Sequence, residues 1–161
     1  GELDDYQSAE GLDLETPIPL SGVIEEILAV RLGVTETQFS IEFDERSAMP
    51  MPLIRRGPEL MHALEDLLRN ANDFAAEVVT VLIRSSVDNV IITIRDDGPG
   101  FPAGVLARVG APWNSSRGTE GGHRGLGIFI ASTLIESLGG SILYGNRRAG
   151  GGEVTINLPR Q

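Results

Sequence analysis

A chain of 161 residues with 41% hydrophobic content suits one domain with a single sizeable core, and its composition is not that of a disordered chain. It contains no cysteine, which excludes disulfide scaffolds, thiolate metal sites and thiol catalysis. A formal net charge of -10 argues against a nucleic-acid-binding surface, and no apolar run approaches the roughly 20 residues of a membrane helix.

Residues 1–17 are acidic or extended and lack periodicity, so they are expected to be a tail or the end of a linker, with no secretory leader; the domain is expected over 18–161. Ser21 is the expected cap of a helix over 21–31, with Val23, Ile24, Ile27, Leu28 and Val30 as its apolar stripe. Gly33 ends it. Phe39, Ile41 and Phe43 alternate with polar residues, which predicts a half-buried strand. The stretch 47–56 reads equally as a loop or a short strand. Pro58 suits the first position of a helix over 58–75. In it Leu60, Leu64, Leu67, Leu68, Ala71 and Phe74 recur at helical spacing and predict a core face. His62, Asp66 and Asn70 follow one another at intervals of four on a line beside that face.

Two strands are expected over 78–84 and 90–95, paired as a hairpin. The second ends in Asp96, Asp97, Gly98, Pro99, Gly100 and Phe101. Asp-Gly and Pro-Gly also mark ordinary turns. A carboxylate at the mouth of a buried strand can nonetheless accept one directed hydrogen bond, and the glycines let backbone approach a ligand. A short helix over 105–109 precedes a polar, Gly-rich stretch over 111–123, the pattern of a lid or mobile loop. It holds Trp113, the sole tryptophan. Arg124, Gly125, Leu126 and Gly127 open the next helix, and strands over 141–144 and 154–158 close the chain. The order predicts a two-layer α/β sandwich with a mixed, mainly antiparallel sheet covered on one face by about three helices. His62 and His123 are too far apart and too isolated to suggest a zinc site.

Three elements in this order suit the parts of a nucleotide. Amides of Gly125, Leu126 and Gly127 at a helix start suit phosphates. The neutral amide oxygen of Asn70 suits Mg²⁺. Asp96 can accept from an exocyclic amine, as adenine presents. A lid that excludes water strengthens each contact.

The set resembles the ATP-binding catalytic domain of sensor histidine kinases, within the superfamily shared with gyrase, Hsp90 and MutL. Leu64-Glu65-Asp66-Leu67-Leu68-Arg69-Asn70-Ala71 is similar to the N box. Asp96-Asp97-Gly98-Pro99-Gly100 is similar to the first glycine box, Arg124-Gly125-Leu126-Gly127-Ile128 to the second, and Gly150-Gly151-Gly152 to the last. The resemblance covers about residues 18 to 159. It implies the Bergerat ATP-binding fold, with ATP and Mg²⁺ as cofactors and a lid over about 101–124. By resemblance Asn70 binds Mg²⁺, Asp96 reads adenine, Gly98 and Gly100 meet the ring and ribose, and Phe101 begins the lid. Three local stretches, around Asn70 to Ala75, Arg108 to Trp113 and Gly127 to Ala131, resemble the redox-responsive RegB/PrrB/ActS group.

Departures from the pattern are informative. The N box usually has Asn where Asp66 stands; in the ATPase branches that position holds the water-activating carboxylate, so Asp66 is either a base or a partner of nearby backbone or His62. Asp73 replaces a basic residue, which leaves phosphate charge to Arg117, His123 or Arg124. His123 replaces the first glycine of the second box. Glu153 stands where a threonine is expected, with Thr155 a weak substitute. Neither histidine lies in a phosphoacceptor context. The resemblance therefore implies the catalytic half only, acting on a histidine of a dimerisation domain outside this chain. It further implies a response regulator downstream, no nucleic acid, no direct membrane contact, a cytoplasmic location, and a monomeric fragment of a homodimeric protein. The other readings are a stand-alone serine kinase of the anti-sigma-factor type and a degenerate nucleotide-binding or interaction module.

Overall fold

The structure is a computed structural model that describes residues 16–109 and 122–160. Strand β1 (Ile18–Pro19) leads into helix α1 (Leu20–Ile27), which continues as one wide π-type turn, Leu28–Leu32. Ser21 lies inside the first turn, and Pro19 takes the capping position instead. Proline presets the backbone there, no side chain caps the helix, and the Leu20 N–H, one of its free amides, donates to the carbonyl of Pro52 at 2.9 Å. The wide turn also explains the fate of Val30. An unbroken α-helix keeps it on the stripe of Val23 and Ile27; a π turn slides the phase, and Val30 is 72% exposed.

The stretch 47–56 contains both things expected of it, a loop and a short strand, β3 (Leu53–Ile54), antiparallel to β1. Strand β2 (Gln38–Phe43) precedes it, and helix α2 (Pro58–Phe74) follows with Pro58 in its first turn. Every member of the predicted stripe, Leu60, Leu64, Leu67, Leu68, Ala71 and Phe74, is buried. Strands β4 (Val78–Ser85) and β5 (Asn89–Asp96) form the hairpin. After α3 (Ala103–Val109) and α4 (Gly122–Ser137) come β6 (Ser141–Asn146) and β7 (Gly152–Pro159).

The main sheet runs β2-β4-β5-β7-β6. Hairpin neighbours are antiparallel, whereas β2 and β4 are parallel because α2 carries the chain back between them. The core lies between one face of this sheet and helices α1, α2 and α4: Ile24 and Ile27, Leu64 and Leu68, and Ala131 and Ile135 meet Val81, Ile92 and Ile156. The other face carries Arg95 paired with Glu153 at 2.7 Å and an exposed Leu143. This alternation positions the site. Val90, Ile92 and Ile94 all point into the core, and Asp96, two residues on, is aimed the same way.

Candidate nucleotide site

Asp96 is the last residue of β5 and is 4% exposed. One of its oxygens belongs to the fold. Oδ1 accepts the N–H of Gly98 at 2.9 Å and that of Gly152 at 3.2 Å. Oδ2 accepts no hydrogen bond among the described residues. It borders Gly152, where an added Cβ would stand 2.9 Å from it and 2.9 Å from the Phe101 ring. A buried carboxylate with one committed and one spare oxygen is set to receive a donor from outside the protein.

Asp97 has a different task. Its carboxylate accepts the N–H groups of Ala76, Glu77 and Val78 at 2.8, 2.9 and 3.1 Å, just after α2 ends. These bonds, that of Glu77 first, hold its pKa below the ordinary carboxylate range. A depressed folded-state pKa stabilises the fold at every pH above the unfolded value near 3.8 and is lost as pH falls through the folded one. Asp97→Ala is therefore expected to lower the melting temperature at pH 7. The difference from wild type should narrow on acidification below about pH 4, as read by melts across pH.

Gly98 is shaped by the same junction. A Cβ built there would lie 1.8 Å from the carbonyl oxygen of Phe74, so the loop after β5 rests directly on the end of α2. The Phe74 ring meets Phe101 edge-on at 5.3 Å, and Phe101 meets Tyr144 of β6 at 6.1 Å. Burial pushes the Tyr144 hydroxyl well above its usual range, and it shares a 2.7 Å hydrogen bond with Ser132 of α4.

Asn70 stands one turn before Phe74 on α2 and so on the same side of the helix. It is 8% exposed, and among the described residues its side-chain amide has no hydrogen-bond partner. Phe74 touches both Phe101 and the Gly98 loop, so the face of α2 that carries Asn70 one turn earlier ends against the loop that follows Asp96. Asp66, a turn earlier, lies 3.3 Å from Nε2 of the more exposed His62. Burial first, and the neighbouring Glu65 to a lesser degree, raise its pKa against the lowering effect of His62. Asp73, one turn after Asn70, is exposed.

Other expected residues are less well placed or lie beyond view. Thr155 pairs with Thr93 and points to the sheet face opposite Val154 and Ile156, so it is not brought to Asp96. Arg117 and most of the expected lid lie outside the described residues, as do the side chains of His123, Arg124, Gly125, Leu126 and Gly127. Helix α4 begins at Gly122, two residues before the expected start. Free amides occupy the first turn of a helix, so those open to an anion fall at Gly122, His123 and Arg124; Leu126 and Gly127 come after that turn. Two adjoining cavities of about 490 and 280 Å³ share Ile54, Val90 and Arg160. They sit at the opposite end of β5 from Asp96.

Sequence reasoning missed the role of Asp97 and the part of Asn146, treated below. The available signals were a second acid beside Asp96 and an Asn closing a strand before three glycines.

A family model described as histidine kinase-, DNA gyrase B-, and HSP90-like ATPase matches residues 56–161. The sensor histidine kinase RegB of Cereibacter sphaeroides is 31% identical over 152 residues, covering 89% of this chain and 31% of its own length. The C4-dicarboxylate transport sensor protein DctB of Pseudomonas aeruginosa is 32% identical over 139 residues, with 76% and 22% covered. The chain thus spans a third or less of these relatives. Among solved structures, the nucleotide-free catalytic domain of histidine kinase ThkA superposes with a TM-score of 0.69 at 21% identity, over 91% of this chain and 96% of that one. Full-length ShkA in complex with AMPPNP gives 0.64 at 24% identity, over 89% of this chain and 30% of that one. The two-layer architecture is the Bergerat fold of such catalytic domains.

Proposed function

This chain belongs to the family of histidine kinase-, DNA gyrase B- and HSP90-like ATPases, and from that premise we propose that it is the ATP-binding catalytic domain of a two-component sensor histidine kinase. In this reading it binds Mg-ATP and presents the γ-phosphate to a histidine on a dimerisation domain outside the chain. The observation that carries the reading is the divided Asp96 carboxylate, with Oδ1 held by two backbone N–H groups and Oδ2 open.

The residues fit such a ligand. Asp96 Oδ2 accepts the exocyclic amine of adenine, and the loop at Gly98 and Gly100 brings backbone beside the ring and ribose. Asn70 offers a neutral oxygen to Mg²⁺ from a seam where it has no protein partner among the described residues. Bound Mg²⁺ neutralises charge on the phosphates. Amides at the start of α4, with His123, Arg124 and Arg117, take the remaining phosphate charge. In phosphoryl transfer the protein mainly positions and neutralises. In this reading Asp66, one turn from Asn70 and with its pKa raised by burial, polarises the accepting nitrogen; its contact with His62 supports an orienting role equally.

No helix among the described residues is long and apolar enough to cross a membrane. RegB is named a sensor histidine kinase and DctB a sensor protein, which supports a cytoplasmic catalytic unit, a response regulator as the final acceptor, and dimerisation through the part of the protein outside this chain; the fragment itself is read as monomeric.

Calorimetry with AMPPNP and Mg²⁺ tests this. Wild type should bind saturably, and Asn70→Ala should lose the Mg²⁺-dependent part of the affinity, at least about tenfold for a lost metal ligand. The isolated chain should bind yet take up no label from γ-labelled ATP. Absence of binding in wild type would favour an interaction module instead; self-labelling of a clean preparation would end the proposed division between catalytic and acceptor domains.

A further inference from the structure

We propose that Asn146 is a positioning residue of the nucleotide site, acting through the backbone of Phe101. The proposal rests on the nucleotide reading above and adds a residue that lies in none of its motifs. Asn146 closes β6, where it pairs with Gly152 of β7. Its side chain grips the backbone of one residue at both its N–H and its C=O. Oδ1 accepts the Phe101 N–H at 2.7 Å, and Nδ2 donates to the Phe101 carbonyl at 3.0 Å.

This grip occupies the space that a side chain would need one residue earlier. Gly100 has φ +88°, and a Cβ built on it would stand 2.8 Å from Asn146 Oδ1. The chain leaving Asp96 is thus turned at Gly100 and pinned at Phe101. The pinned ring lies edge-on to Phe74, one turn from Asn70, and against the Gly152 position that borders Asp96 Oδ2. Gly152 itself donates to Asp96 Oδ1 at 3.2 Å. Asn146 therefore ties the hairpin that supports Asp96 to the ring that packs on Phe74 of α2.

A residue acting this way sets the cost of organising the site when ligand arrives. A loop already held in the bound geometry loses less entropy on binding. The effect should fall on the purine end of the ligand and be shared by every adenine nucleotide. It should not depend on Mg²⁺, unlike that of Asn70.

Three substitutions, two of them close to asparagine in outline, separate this role from a structural one. Asn146→Leu keeps the branched outline and removes both hydrogen bonds. Asn146→Asp keeps the acceptor for the shorter bond and loses the donor. Calorimetry on the whole chain with Mg-AMPPNP and, separately, with ADP should show Asn146→Leu weaker than wild type by about three- to tenfold for both ligands. Asn146→Asp should recover to within about threefold of wild type. Asn146→Ala, which adds no apolar bulk, should repeat the loss seen with Leu. The proposal is overturned if Leu and Ala variants bind within twofold of wild type, if Asp is no better than Leu, or if melting falls while affinity holds. Wild type that binds no nucleotide sinks the nucleotide reading and this one together; wild type that binds as tightly as the Leu and Ala variants sinks this one alone.

Discussion

Asp96→Asn is expected to weaken ATP binding by about 30- to 150-fold, or roughly 2–3 kcal/mol, while leaving the fold in place. The reason lies in how the carboxylate is divided. Two backbone N–H groups, from Gly98 and Gly152, converge on Oδ1. In the variant only the amide oxygen can accept both, so the NH₂ must take the Oδ2 position and face the ligand. There a donor meets the donor amine of adenine. The same geometry predicts the reverse for a purine with a carbonyl at that edge. Inosine triphosphate, disfavoured by the wild-type carboxylate, should gain on ATP in the variant, and the preference between them should narrow or invert. Competition of both nucleotides against a fluorescent analogue reads the ratio. Unchanged ATP affinity with an unchanged ratio would remove Asp96 from purine recognition.

Gly98→Ala is expected to cost about 3 kcal/mol of stability, lowering the melting temperature by roughly 6–12 °C for a domain of this size. By resemblance Gly98 is a ligand-facing glycine, for which the expected loss is affinity. The structure adds a larger effect. The new methyl would stand 1.8 Å from the Phe74 carbonyl oxygen and 2.8 Å from its carbon. Neither is the flexible end of a side chain. The loop after β5 and the end of α2 must separate, and Asp97 must release some of its bonds to Ala76, Glu77 and Val78. Thermal melting without ligand is the discriminating measurement. A variant that melts like wild type but binds nucleotide weakly would show that Gly98 serves the ligand alone.

The burial of the candidate residues was legible in the chain to different degrees. Asp96 and Asn70 are legible because each sits in a periodic element. Asp96 continues the alternation of Val90, Ile92 and Ile94, and Asn70 falls beside the stripe of Leu60, Leu64 and Leu67. Asp97 and Asn146 are not legible, because their partners are 19 to 21 and 45 residues away. No local pattern marks an acid that holds three amides just past the end of the preceding helix. Val30 fails because the helix does not stay regular: its periodicity is sound, and the wide turn moves it outward.

By itself, then, the order of residues determined which segments are helices and strands, which faces are apolar, and which polar groups end up at the mouth of the sheet. Those properties follow from periodicities of 2 and 3.6, which act over a few neighbours. The tertiary structure alone decided that β2 is a parallel edge strand. It alone left one oxygen of Asp96 held by two backbone N–H groups and the other open, and gave Gly98 a backbone neighbour. Each of these is a contact between elements remote in the chain. Directed hydrogen bonds and hard-sphere overlap at such contacts depend on positions settled only when the layers pack.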